Sequence, residues 1–158
     1  MKKILNFIVL VILGAAFAAC EKADPFVDRV VSPVLVVVQG IDGVPASGLT
    51  TEPTVPASIT ADAGATIKIL ELDKSGILDY KIGIDSIPVS GIKISYKLRS
   101  TGALVKEVTT DSKGMANLST SWASLGVTAP KTGSTVKLIA TGTYKDQQFS
   151  KYFSISGK

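Results

Sequence analysis

The chain has 158 residues, with 17 basic and 13 acidic side chains, a formal net charge of +4, no histidine and one cysteine. That length suits one domain with a proper core once a leader is removed, and a single thiol excludes a disulfide or a cysteine-metal site within it. The missing histidine removes the commonest general base and metal ligand near neutral pH, and lysines spaced singly from Lys68 to Lys137 do not make the basic face that nucleic-acid binding needs.

Lys2 and Lys3 precede an apolar run from Ile4 to Leu13, and small residues follow, ending in Phe17-Ala18-Ala19-Cys20. This is the layout of a secretory signal. The stretch from Ile4 to Ala19 contains Asn6, meets no stop-transfer cluster and falls short of the about 20 apolar residues of a spanning helix, so cleavage is expected. With a cysteine at the exit, residues 1–19 resemble the signal peptide of a bacterial lipoprotein. The resemblance implies acylation of Cys20, palmitate included, and the membrane as a partner through those chains. Phe17 stands where that pattern usually has leucine, and cleavage after Ala16-Phe17-Ala18 is the alternative, leaving a free thiol near the new N-terminus. Acyl chains contribute about 0.8 kcal/mol per buried CH2, so two or three of them anchor durably. Residues 20–29 then form the lipidated cysteine and tether, and 30–158 the domain. Lys2 and Lys3 leave with the signal, so 17 basic residues become 15 against 13 acidic.

The domain reads as all-β. Pro33 to Val38 is a first strand candidate. Gln39 to Gly64, rich in Gly, Pro, Ser, Thr and Ala, reads as a long connection with one short edge strand near Ser58-Ile59-Thr60. Thr66 to Leu72 is a strand, and Asp73-Lys74-Ser75-Gly76 a turn. Leu78, Tyr80, Ile82 and Ile84 alternate with Asp79, Lys81 and Gly83, which predicts a strand buried on one face. Ile92 to Arg99 alternates without a fault and is the clearest strand of the chain. Leu104 to Thr110 and Met115 to Trp122 flank the turn Asp111-Ser112-Lys113-Gly114. Val136 to Thr141 and a last strand marked by Phe149, Phe153 and Ile155, with Tyr152 on its other face, are joined by a hairpin at Tyr144-Lys145-Asp146-Gln147. No window holds a helical pattern, and about seven to nine short antiparallel strands indicate a sandwich or barrel.

Two of these segments carry a resemblance. Asp85 to Ile94 is similar to the "PV-x-G-V-x-V" strand opening of bacterial Ig-like domains of the invasin and intimin type, and Thr109 to Ala116 to their "T-T-D-x-x-G-x-A" turn. Val136 to Tyr144 is similar to their penultimate strand. The resemblance spans about Ala61 to Ile155 and implies an Ig-like β-sandwich; transthyretin-like domains share the turn pattern, so a prealbumin-like sandwich stays open. Ile87 occupies the place of the family's usual glycine. Folding alone explains Pro88, Gly91, Asp111 and Gly114.

The chemistry is sparse. No nucleophile-elbow pattern surrounds any serine, and no catalytic residue, metal site or cofactor is expected. Asp73, Asp79 and Asp85 are too widely spaced for an ordinary calcium loop and read as solvated turn residues. Trp122, among Ser119, Thr120, Ser121 and Ser124, is the candidate ligand contact, as a sugar-stacking platform; the other reading is a core residue. The expectation is a non-enzymatic, lipid-anchored cell-envelope protein whose Ig-like domain serves in adhesion or binds a protein or glycan partner. The alternative is a glycan-binding accessory lipoprotein of an outer-membrane uptake system; a hydrolase lacks its usual base. The expected address is the outer membrane, with Glu21 and Asp24 favouring the cell surface and the periplasmic face left open.

Overall fold

Alternation of apolar and polar residues builds nine strands in the computed structural model, which describes residues 32–46 and 52–158. The expected signal at 1–19, the expected lipidated Cys20 and tether to residue 29, residues 30–31 of the expected domain and residues 47–51 of the long connection lie outside the described residues. The strands are β1 (Leu35–Gln39), β2 (Thr54–Ala57), β3 (Ala63–Asp73), β4 (Asp85–Pro88), β5 (Lys93–Leu98), β6 (Leu104–Thr109), β7 (Met115–Thr120), β8 (Thr135–Tyr144) and β9 (Gln147–Gly157). A single 3-10 turn, Ala123–Leu125, follows β7. Among the described residues no helix is long and apolar enough to cross a membrane.

The first sheet is organised by β3. Its residues 66–70 pair with β1, from Gln39↔Thr66 to Leu35↔Leu70. Residues 63–68 also pair with β7, and 70–73 with β4, so those two strands share the opposite edge end to end. Ile69 is the junction: its N–H donates to the Gly114 carbonyl and its own carbonyl accepts from Val89 N–H. The second sheet runs β2-β9-β8-β5-β6. All its pairings are antiparallel but one: β2 runs parallel to β9, from Thr54↔Ser154 to Ala57↔Gly157. This corrects the all-antiparallel expectation. The connection after β1 carries the chain to the other sheet, so β2 reaches β9 without a hairpin to reverse its direction. Pro56 is tolerated there because β2 is an edge strand.

Inward residues of the two sheets form one core. Ile67, Ile69 and Leu118 from the first sheet and Ile94, Tyr96, Leu138, Phe153 and Ile155 from the second are fully buried. Tyr96 and Phe153 meet edge to face, with centroids 6.3 Å apart at 83°. The two layers therefore make a β-sandwich.

Two strand expectations are corrected. The edge strand lies at Thr54–Ala57, not at Ser58–Thr60, where Thr60 N–H donates to Ser58 Oγ in a local turn. Leu78 to Ile84 forms no strand. Turn bonds consume its backbone: Ile77 N–H reaches Lys74 O, Asp79 N–H reaches Gly76 O, and Ile82 and Gly83 N–H both reach Asp79 O. A Cβ on Gly76 would stand 2.3 Å from Ile82 Cγ2, so the segment is doubled back on itself. Period-two patterning needs a partner strand to become a sheet, and none lies alongside this segment among the described residues.

Candidate functional site

Register divides the sandwich into two ends. At one end β1 begins, β3 finishes and the β8–β9 hairpin turns; at the other β3 begins, β7 finishes, β5 finishes and β8 begins. The second end holds an open cleft of about 590 Å³. Its apolar lining comes from Leu98, Leu125, Val127 and Val136, and Arg99 and Lys137 supply two cations. Arg99 is held in place from three sides. Its Nη1 donates to Glu52 Oε2 at 2.8 Å, its guanidinium lies 4.5 Å from the Tyr152 ring centroid, and its backbone N–H donates to Lys137 O. A planar cation on an aromatic face keeps its remaining donors directed outward. The cleft can accept an amphipathic group with an anionic or hydroxyl-rich edge.

Trp122 is not part of that opening. It is 4% exposed, its indole N–H donates to Ser58 O at 2.9 Å, and with Leu125 it closes the core beside the cleft. A buried ring whose donor is already used offers no platform to a sugar, so the ligand-contact reading of Trp122 gives way to the core reading. The exposed aromatic at this end is Tyr152, which alternation placed on the outer face of the last strand.

The outer face of the second sheet carries a smaller groove of about 340 Å³ lined by Lys93, Ser95, Lys97, Thr141, Thr143 and Gln148. Ser95 Oγ donates to Glu107 Oε1 at 2.8 Å, and Lys93 lies 3.8 Å from the same carboxylate. Lys93 and Lys97 are thus on the solvated side of this sheet with a carboxylate beside them, whereas Lys68 lies on β3 of the other sheet and Lys81 in the turns between β3 and β4.

At the first end, Glu71 on β3 receives Tyr144 Oη and Lys145 Nζ, both at 2.5 Å. The Lys145 hydrogen bond, then that of Tyr144, holds the Glu71 carboxyl below the usual carboxylate range. The same contacts push the Tyr144 phenol and the Lys145 ammonium up. This cluster ties the β8–β9 hairpin of one sheet to β3 of the other. Asp73 and Asp85 stand opposite each other in the β3–β4 pair, and each of Asp73, Asp79 and Asp85 accepts a nearby backbone N–H, from Ser75, Lys81 and Ser86. Among the described residues no group of three or more His, Cys, Asp or Glu side chains gathers.

No protein-family model, curated protein or solved structure matches the chain. The site therefore rests on its own geometry.

Sequence reasoning missed Arg99 and Lys137 as a pair, because 38 residues of chain separate them and only the β5–β8 pairing brings them together. The available signal was Arg99 itself, a cation ending the most regular strand of the chain. The lipidation candidate Cys20 lies outside the described residues.

Proposed function

We propose that the chain is a non-enzymatic, lipid-anchored protein of the cell envelope, held at the outer membrane through acyl chains on Cys20, whose Ig-like domain is an adhesion or partner-binding module. The connectivity supports the Ig-like reading. The first sheet holds β1, β3 and β7 in the order of strands A, B and E of that fold, and the second holds β9, β8, β5 and β6 in the order G, F, C and C′. β4 is an addition to this scheme.

The observation that carries the binding role is the end cleft, where two cations stand over an apolar floor and one of them is fixed by Glu52 and Tyr152. Few convergent polar groups on a concave apolar surface are the usual makings of a binding site. Its charge points to an acidic peptide or an acidic glycan. The test is a panel of both, read against the wild type and the Arg99→Glu/Lys137→Glu variant. Binding by the wild type that falls about tenfold or more in the folded variant supports the reading, since charge reversal at a partly desolvated contact costs more than one pKa-unit equivalent of free energy. Equal binding by both proteins, or none by the wild type, overturns the role given to the cleft. Labelled palmitate in the wild type and its absence from Cys20→Ser tests the anchor separately.

The glycan-binding reading is favoured by one observation of its own: Tyr152, exposed, borders a face of hydroxyl and amide side chains that includes Ser95, Thr141, Thr143 and Gln148. Neutral sugars on the same panel distinguish it, with Tyr152→Ala as the variant expected to lose them.

A further inference from the structure

The excursion between β3 and β4 exposes the densest group of large apolar side chains among the described residues. Leu78 is 98% and Tyr80 91% exposed, and Ile77, Ile82, Ile84 and Ile87 also face solvent. So many exposed large apolar side chains on one short segment of a small domain mark a contact with another phase or molecule. Its position in the fold says which. Leu35, the first residue of β1, is paired with Leu70, three residues before β3 ends at Asp73, and the chain enters β1 through a bend at Pro33 and Val34. The tip beyond Asp73 thus projects from the end of the sandwich at which the described chain begins. The cleft with Arg99 and Lys137 opens at the opposite end.

We propose that the tip formed by Ile77, Leu78, Tyr80, Ile82 and Ile84 seats in the interfacial layer of the bilayer that carries the Cys20 anchor. This rests on the anchored reading above. Residues 21–31 separate Cys20 from Ser32, and at about 3.3–3.6 Å per extended residue they reach no more than about 40 Å. The tether joins the domain at the end bearing Ser32, so that end, and the tip with it, can face the lipid within that reach. The composition suits the interface: aliphatic side chains, one tyrosine with a wet end, and Lys74 and Lys81 flanking them. Lys81 Nζ lies 5.9 Å from the Tyr80 ring centroid. The turn bonds of the excursion matter as well, since they satisfy the N–H groups of Ile77, Asp79, Ile82 and Gly83 internally and lower the cost of leaving water. Asp73, Asp79 and Asp85 offset the two lysines, so the docking is driven by apolar burial and not by charge. The opposite cleft is then presented away from the membrane.

The experiment uses acylated full-length protein in vesicles of phosphatidylethanolamine and phosphatidylglycerol. Acylation occupies Cys20, so Leu78→Cys provides a single free thiol for an environment-sensitive fluorophore, and Leu104→Cys, exposed on β6, provides the control. The expected result is a blue shift and quenching by spin-labelled lipid for the label at residue 78 alone, unchanged in high salt. Equal, water-like signals from both labels overturn the proposal. A blue shift at residue 78 that arises without vesicles and grows with protein concentration also overturns it, by showing a second copy of the chain on the tip. A shift that needs added envelope protein assigns the tip to a protein partner and overturns it likewise. If mass analysis finds no acyl chain on Cys20, the anchored reading fails independently. Cys20→Ser protein labelled at residue 78 then decides the tip: partition into the vesicles, lost with Leu78→Glu and Tyr80→Glu changes in a correctly folded protein labelled at residue 77, upholds it, and no partition sinks it.

Discussion

A phenol inside an apolar core needs an acceptor, and Tyr96 finds one on the opposite sheet. Its hydroxyl donates to Ala116 O at 2.7 Å, joining β5 to β7 across the core. Burial pushes the phenol's pKa up, which favours its neutral, donating form. Tyr96→Phe removes the donor and leaves a buried carbonyl with one partner fewer; unfolding in urea should show a loss of about 1–2 kcal/mol. Glu71 gives a second residue-scale test. Its carboxyl is held low by Lys145 and Tyr144, so its contribution is present above the carboxylate pKa of the unfolded chain and is lost as pH falls through the folded value. Lys145, pushed up by Glu71, contributes below the unfolded lysine pKa and loses that contribution as pH rises through the folded value. Thermal melts of wild type and Glu71→Gln should therefore differ at neutral pH and converge in acid. A gap that persists once the carboxylate is protonated would assign the effect to packing.

Among the elements, the turn between β6 and β7 is the most constrained. Asp111 Oδ1 accepts the N–H groups of Lys113 and Met115, and Gly114 takes φ +72°. A Cβ on Gly114 would lie 2.5 Å from Ile69 O, at the point where the edge of β3 passes from β7 to β4. Gly102 has almost the same φ, +71°, and open space around it. Gly102→Ala thus reports the cost of the left-handed backbone alone, about 1 kcal/mol, and Gly114→Ala that cost plus the clash, about 3 kcal/mol in total. Equal losses in the two variants would show that β4 and β7 yield freely. The β8–β9 hairpin uses the same left-handed region without glycine: Lys145 and Asp146 have φ of 48° and 62°. That is the geometry of a two-residue type I′ turn, which Asn-Gly would fit better. The Glu71 contacts hold Lys145 in it.

For the molecule as a whole, the decisive fact is that both sheets share one core. Phe153 packs against Tyr96 and is fully buried at the centre of β9, between β2 and β8. Phe153→Ala should cost about 3–5 kcal/mol, a large part of the about 5–15 kcal/mol that holds a domain of this size together. Loss of both sheets in a single transition, followed by far-ultraviolet circular dichroism and by Trp122 fluorescence, is the expected outcome. Two separated transitions would contradict a common core. The same architecture sets the tip and the cleft at opposite ends of the sandwich.

Much of this was legible along the chain. Ile92 to Arg99 announced a strand because each side chain there has one fixed face, and the turn at Asp111–Gly114 follows from local backbone chemistry. Where the pattern misled, the missing information was the neighbour. Leu78 to Ile84 alternates as faithfully as β5 does, yet its backbone bonds close on themselves and its apolar side chains are left outside the core. Trp122 looked as suited to a ligand as to a core until Ser58 supplied an acceptor for its indole from a distant turn. The sequence by itself determined the β class and the Asp111–Gly114 turn, since each depends on residues adjacent in the chain, and it alone carries the lipoprotein-signal resemblance ending in Cys20. Only the tertiary structure decided that β2 runs parallel to β9, that Arg99 and Lys137 share a cleft and that the tip stands at the end bearing Ser32. Those depend on which strands meet, and pairing between distant segments is set by the burial of a common core.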